Sequence, residues 1–184
     1  VALEYGITRS VGIDIENRWN YAQNDKMEFI CTDICTKRVE EKFDLITSFC
    51  AFEHFEKPVE MFDTMCNMLN PGGYLYINFG PIWYSAYGHH CYDAISFPYY
   101  HLLFSDEIIK RFKAQHGIID NQFYNKWSAY DYMYMFLKCN KLLLDDFKVM
   151  YNFKDYYFVE AFPFLFERYK KEDLLVNGFE LLFK

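Results

Sequence analysis

The feature that most constrains this chain is the order of its short apolar runs. Ser10-Val11-Gly12-Ile13-Asp14-Ile15, Met27-Glu28-Phe29-Ile30-Cys31-Thr32-Asp33 and Phe43-Asp44-Leu45-Ile46-Thr47-Ser48-Phe49 are each short and bounded by polar residues, and the first two meet an Asp at or near their ends. Such runs read as buried parallel strands. The third is followed by residues 59–69, where Val59, Phe62, Met65, Cys66 and Leu69 recur at helical spacing. Asn70-Pro71-Gly72-Gly73 is expected to stop that helix and turn the chain, and residues 74–79 form a fourth strand ending at Gly80-Pro81. Parallel neighbours need a crossover connection, so strands alternating with helices predict an open α/β sheet.

The second half reads differently. Residues 98–112 carry a helix entered at Ser105, with Asp106 and Glu107 in its first turn, where acids suit the helix dipole. Residues 127–144 read as a longer aromatic helix, 147–158 as a strand or half of a hairpin, 163–175 as a loop or charged helix, and 178–183 as a last strand. No internal repeat or linker interrupts the chain, which predicts a single domain over 1–184.

Composition narrows the function classes. The formal charge of −7 argues against binding to a nucleic-acid backbone, which needs a basic stripe to displace counterions. No run approaches the about 20 apolar residues of a membrane span, and no charged-then-apolar leader is seen, so a cytoplasmic protein without membrane partners is expected. The six cysteines form no CxxC pair and read as buried thiols; Cys31 and Cys35 with His89 and His90 match no zinc template, so no metal is expected. Aromatic residues make up 22% of the chain, and where they fall decides whether they line a pocket or only fill a core.

In an open α/β sheet, ligands bind beyond the carboxyl ends of the strands. That singles out Asp14, Asp33, Ser48 with Phe49, and residues 78–81. A carboxylate there can accept two ribose hydroxyls, as in many nucleoside-binding sites, or can serve as an ordinary turn or cap residue.

Taken in order, these motifs resemble the class I S-adenosylmethionine-dependent methyltransferases, specifically their small-molecule branch. The resemblance rests on Val11-Gly12-Ile13-Asp14-Ile15, on Phe29-Ile30-Cys31-Thr32-Asp33, and on the run from Phe43 that continues through Phe52-Glu53-His54. It rests further on Leu69-Asn70-Pro71-Gly72-Gly73-Tyr74-Leu75 and on a closing antiparallel pair near 147–157 and 176–183. It implies a Rossmann-like α/β sheet with a C-terminal antiparallel hairpin and S-adenosyl-L-methionine as cofactor. Asp14 would hold the ribose hydroxyls, with Glu16 as its competitor, and Asp33 the adenine amino group. Ile15 and Ile34 would wall the adenine ring, while Ser48 and Phe49 would face the methionine part. The family's first strand and glycine-rich loop are expected ahead of Val1, residues 1–6 resemble the tail of the following helix, and no G-x-G occurs in the sequence. The connection from Asp14 to Met27 is short for the family, which puts its usual helix in doubt.

Methyl transfer from a sulfonium needs a general base only for a hydroxyl or protonated-amine acceptor. His54, just beyond the third strand, and His89 and His90, in the aromatic loop after the fourth, are the candidates; His101 and His116 are given no chemistry. Trp83, Tyr84 and Tyr87 in that loop are placed to line a pocket for a small-molecule or glycan-like acceptor. The later aromatics Tyr130, Tyr132, Tyr134 and Phe136 read as core or subunit interface. A catalytically impaired, methyltransferase-like binding protein is the alternative, and a nicotinamide oxidoreductase a more distant one.

Overall fold

The computed structural model describes residues 6–17, 26–34, 36, 39–119 and 123–184. The chain divides into two compact units, Val1–Glu41 and Lys42–Lys184.

In the first unit, strands β1 (Ser10–Asp14) and β2 (Met27–Cys31) pair in parallel, with Ser10 opposite Met27 and Asp14 opposite Cys31. Both expected strands are thus present and side by side. Arg9 ties the strand starts together by bonding the carboxylates of Glu28 and Glu41 on the surface. The proposed helix tail at 1–6 lies outside the described residues except for Gly6, and so does most of the Asp14–Met27 connection.

The second unit is built on a four-stranded sheet in the order β3-β4-β6-β5, with β3 Phe43–Phe49, β4 Leu69–Phe79, β5 Leu144–Tyr151 and β6 Val176–Phe183. β3 and β4 are parallel, and β6 runs antiparallel to both β4 and β5. The expected closing hairpin is therefore present, with its last strand inserted beside β4.

Helix α1 (Pro58–Asn67) makes the crossover between the parallel strands. Pro58 suits its first turn, where a missing N–H costs nothing, and Met61, Phe62, Met65 and Cys66 form its buried face. β4 alternates with period two: Leu75, Ile77 and Phe79 are fully buried, whereas Tyr74 and Tyr76 face outward. These side chains meet Phe52, Phe62, Phe136, Phe179 and Phe183 in a core of tilted and edge-on rings. Each fully buried Phe or Leu contributes about 1.5–3 kcal/mol.

Several boundaries differ from those expected. Asn70–Gly73 does not separate helix from strand; it is a bulge inside β4, since Phe43 lies opposite Leu69 and Leu45 opposite Tyr74. Gly72 takes the left-handed φ of +80° that this bulge requires. Residues 98–112 hold two helices, α2 (Tyr100–Leu103) and α3 (Asp106–Gln115), and Ser105 caps the second by accepting from the Ile108 N–H. The aromatic helix α4 covers only Ala129–Leu137, opened by a capping box between Ser128 and Asp131. The chain then turns into β5, and what reads as a continuation of that strand is helix α5 (Phe153–Ala161), capped by Asn152. Short α6 (Lys171–Leu175) leads into β6.

Of the described cysteines only Cys66 is buried, its thiol pushed up to about 12 chiefly by desolvation; Cys31 and Cys50 are exposed, and Cys35 lies outside the described residues. Among the described residues no helix is long and apolar enough to cross a membrane.

Candidate functional site

Each unit has residues at the carboxyl end of its parallel strands. In the first unit Asp14 closes β1, and its Oδ1 accepts the N–H of Glu16 at 3.0 Å, a local turn contact. Ile15 is 70% exposed. Asp33 and Ile34 are half-buried just past β2, where the Asp33 carbonyl accepts both the N–H and the hydroxyl of Thr36.

The second unit is more closed. At the end of β3, Ser48 is buried and Phe49 is 60% exposed against Tyr76, their ring centroids 5.5 Å apart. Cys50 has φ +46° and donates its N–H to the Asn78 carbonyl, binding the exit of β3 to that of β4. The chain then makes a single 3-10 turn, Phe52–His54. Phe52 enters the core, and Glu53 follows it inward to 3% exposure.

One carboxylate oxygen of Glu53, Oε1, accepts the Gly80 N–H at 3.3 Å, so the turn that follows β3 is bonded to the residue after β4. Among the described residues Oε2 has no hydrogen-bond partner. Burial raises the Glu53 carboxyl above the ordinary carboxylate range, against the lowering pull of its backbone hydrogen bonds and of His54.

His54 and His90 come from different loops and meet edge-on at 4.8 Å between ring centroids. A carbonyl oxygen only accepts, so each ring nitrogen bonded to one must carry the proton. His54 Nδ1–H donates to the Phe123 carbonyl at 2.8 Å, and His90 Nε2–H donates to the Pro81 carbonyl at 2.8 Å. The ring of Tyr124 packs on both, 5.3 Å from His54 and 5.2 Å from His90.

Two features place His90. Gly88 passes so close to the preceding turn that a Cβ there would lie 2.2 Å from the Trp83 carbonyl oxygen. His90 itself takes φ +56°, a left-handed conformation uncommon for histidine.

His89 points elsewhere. It is 2% exposed, its Nδ1 accepts the Cys91 N–H at 2.9 Å, and its ring lies 4.0 Å from Tyr100 and 5.1 Å from His101. His101 is likewise buried and donates from Nε2 to the Trp83 carbonyl at 2.6 Å; burial lowers its pKa to about 4. The sequence brings His54 and His90 forward as one group with His89, and the fold pairs only the first two with each other.

The three aromatics proposed for the acceptor also part company. Trp83 meets His101 edge-on at 4.8 Å and lies tilted against Tyr124 at 5.5 Å, with the Lys126 ammonium 4.6 Å from its ring. Tyr84 leans on Tyr169, and Tyr87 donates its hydroxyl to Asp155 at 3.2 Å. All three are half-buried and pack against a core cluster that includes Ala86, Tyr99, Leu102 and Phe166. In α4, Tyr132 and Phe136 are core, while Tyr130 and Tyr134 are exposed.

Glu53, Tyr124 and Asn125 join the site without having been assigned to it from sequence. Glu53 stood next to His54 just beyond a strand end, and that position was its signal. Tyr124 and Asn125 carried none. Asn125 is the strut of the site: its side chain donates to the Phe52 and Phe55 carbonyls at 2.7 and 3.0 Å and accepts the Tyr132 hydroxyl at 2.7 Å. A cavity of about 510 Å³ opens elsewhere, between α1 and α4, and none of the cluster residues lines it.

The family described as "Methyltransferase domain" matches residues 1–77. A search of curated protein sequences returns no match. Among solved structures, an S-adenosylmethionine-dependent methyltransferase from Mesorhizobium loti aligns at 16% identity and TM-score 0.58, covering all of this chain and 84% of that one. Coclaurine N-methyltransferase, solved with N-methylheliamine and S-adenosylhomocysteine, aligns at 12% identity and TM-score 0.54 over 100% of this chain and 62% of that one. N-methyltransferase NodS from Bradyrhizobium japonicum WM9 aligns at 14% identity and TM-score 0.47; this chain, 95% covered, spans 65% of its length. For the first two structures the likeness is one of fold. Over its first 77 residues the chain is thus similar to the methyltransferase domain family, and its fold is similar to that of S-adenosylmethionine-dependent methyltransferases.

Proposed function

We propose that the chain is an S-adenosylmethionine-dependent methyltransferase acting on a small-molecule or glycan-like acceptor at oxygen or nitrogen. The observation that supports it most is the meeting of His54 and His90 beyond the carboxyl ends of two neighbouring parallel strands, where this class of sheet binds its ligands.

The residues present suit the cofactor. A carboxylate has about four lone-pair sites, and the Glu16 N–H takes one of those on Asp14, so capacity remains for ribose hydroxyls. Ile15, exposed beside it, offers the apolar face that an adenine ring would cover. Asp33 and Ile34 are the further candidates for the adenine, and Ser48 and Phe49 for the methionine part.

The cofactor supplies an activated methyl group, and the protein's task is to hold an acceptor atom in line with it. For a hydroxyl or ammonium acceptor, His54 or His90 takes the proton: each ring donates one N–H to a backbone carbonyl, and in the neutral form its second nitrogen carries the lone pair. Trp83, against Tyr124, together with Tyr84 and Tyr87, is proposed to line the acceptor pocket.

Calorimetric titration of the full-length protein with S-adenosylhomocysteine tests the reading. Saturable binding is expected, weakened by about 1–3 kcal/mol in Asp14→Ala through loss of charged hydrogen bonds. A folded protein that gives no heat at high ligand concentration would refute it.

A further inference from the structure

Beyond methyl transfer, we propose that Glu53, His54 and His90 form a binding site for a divalent transition-metal cation of the zinc type, a role that replaces proton uptake by the two imidazoles whenever the cation is bound. A ligand atom of each lies within 4.8 Å of those of the other two. Proximity alone would be weak, and three further observations make it a built site.

The first is the orientation of the imidazoles. A metal-binding histidine usually donates its other ring N–H to a backbone carbonyl or a carboxylate, which fixes the tautomer and aims the lone pair. Both histidines have that arrangement, His54 Nδ1–H to Phe123 and His90 Nε2–H to Pro81, each at 2.8 Å. In the neutral rings this arrangement puts the lone pairs on His54 Nε2 and His90 Nδ1.

The second is Glu53. Its carboxyl is buried, Oε1 is held by the Gly80 N–H, and Oε2 has no hydrogen-bond partner among the described residues. An oxygen taken out of water without a partner is costly, and a cation would satisfy it. The third is support from outside the three: Asn125, bonded to the Phe52 and Phe55 carbonyls on either side of the Glu53-His54 pair, fixes the turn that presents both residues.

The ligand set selects the metal. Two imidazoles with one carboxylate suit zinc, iron or cobalt and not magnesium, which prefers oxygen ligands and keeps several waters. Zinc binds at about 2.0–2.2 Å, which sets tetrahedral ligand–ligand separations near 3.4 Å. A cation would draw the three groups inward from their present spacing. Three protein ligands also leave a coordination position for water or for an oxygen-donor ligand.

The test uses metal alone on the full chain. Competition against a chromophoric chelator should show one zinc ion bound per chain, and cobalt should give the visible d–d absorption of a low-coordinate nitrogen and oxygen site. His54→Gln and His90→Gln should each weaken zinc binding by at least about tenfold, with circular dichroism confirming that they fold. Glu53→Gln should do the same, but its buried position makes the two histidine variants the deciding ones. No saturable zinc binding by the folded protein would overturn the proposal, and so would binding that survives unchanged in both histidine variants, the signature of cysteine ligation elsewhere. The outcome is separate from that of the S-adenosylhomocysteine titration: zinc binding without nucleoside binding keeps the site and removes the methyltransferase reading, and the reverse result does the opposite.

Discussion

The carboxyl ends of β1 and β3 occupy the same place in their own strand pairs, and the chain treats them differently. After β1, Asp14 makes a contact two residues along the chain and Ile15 stands in solvent. After β3, Glu53 and His54 are fixed by partners 27 and 69 residues distant, Gly80 and Phe123. A strand end held by its own turn can stay open to a ligand at little cost. One held by distant loops is rigid, because moving it breaks contacts in several segments at once. Under the proposed function, the first kind of end suits recognition of an extended ligand and the second suits placement of a few polar atoms.

The sharpest way to break the contrast is Gly88→Ala. The new Cβ would meet the Trp83 and Ile82 carbonyl oxygens at 2.2 and 2.4 Å, and backbone cannot give way as a flexible side chain does. A loss of about 3 kcal/mol or more is expected in urea denaturation; an unchanged midpoint would mean that the loop carrying His90 is not rigid.

Next in size is the acid response of His101. Its pKa is lowered to about 4 in the folded protein, chiefly by burial, against about 6.5 unfolded. Between those values the unfolded chain binds the extra proton. Stability is therefore full above pH about 6.5 and falls as pH drops through about 4, by up to about 3 kcal/mol. In His101→Gln, which can still donate to the Trp83 carbonyl, denaturation midpoints measured from pH 7 to 4 should show a smaller acid loss than in the unsubstituted protein.

Asn125→Ala should cost about 2 kcal/mol, because the Phe52 and Phe55 carbonyls lose a donor and the Tyr132 hydroxyl an acceptor. Near-zero cost would show that the strut is dispensable. At the open end, Ile15→Ser should change stability by no more than about 0.5 kcal/mol while weakening S-adenosylhomocysteine binding. A large stability loss there would erase the contrast between the two ends.

How far the sequence could be read follows the same division. The strands at Ser10, Met27 and Phe43, the helix at Pro58 and the closing antiparallel pair were legible because each is a periodic apolar pattern with its own stop signals. The bulge at Asn70–Gly73 was not, since Pro-Gly-Gly carries the same turn chemistry inside a strand as between elements. Helix α5 was missed because Phe153 to Phe158 is as aromatic as the strand before it, so local propensity could not separate the two. His54 and His90 were legible as strand-end residues; that they meet, and that His89 turns into the core, was not.

Periodicity and position along the chain are local properties, so the segments that become parallel strands, and the acids and histidines at their carboxyl ends, can be read without the fold. That Glu53, His54 and His90 form one cluster, with Tyr124 packed on both imidazoles, follows from the fold alone. Glu53 and His54 are neighbours in the chain but His90 lies 36 residues further on, and their meeting depends on the φ of +56° at His90, the space that Gly88 leaves, and the carbonyls of Pro81 and Phe123. Those contacts exist only once the loops have closed on one another.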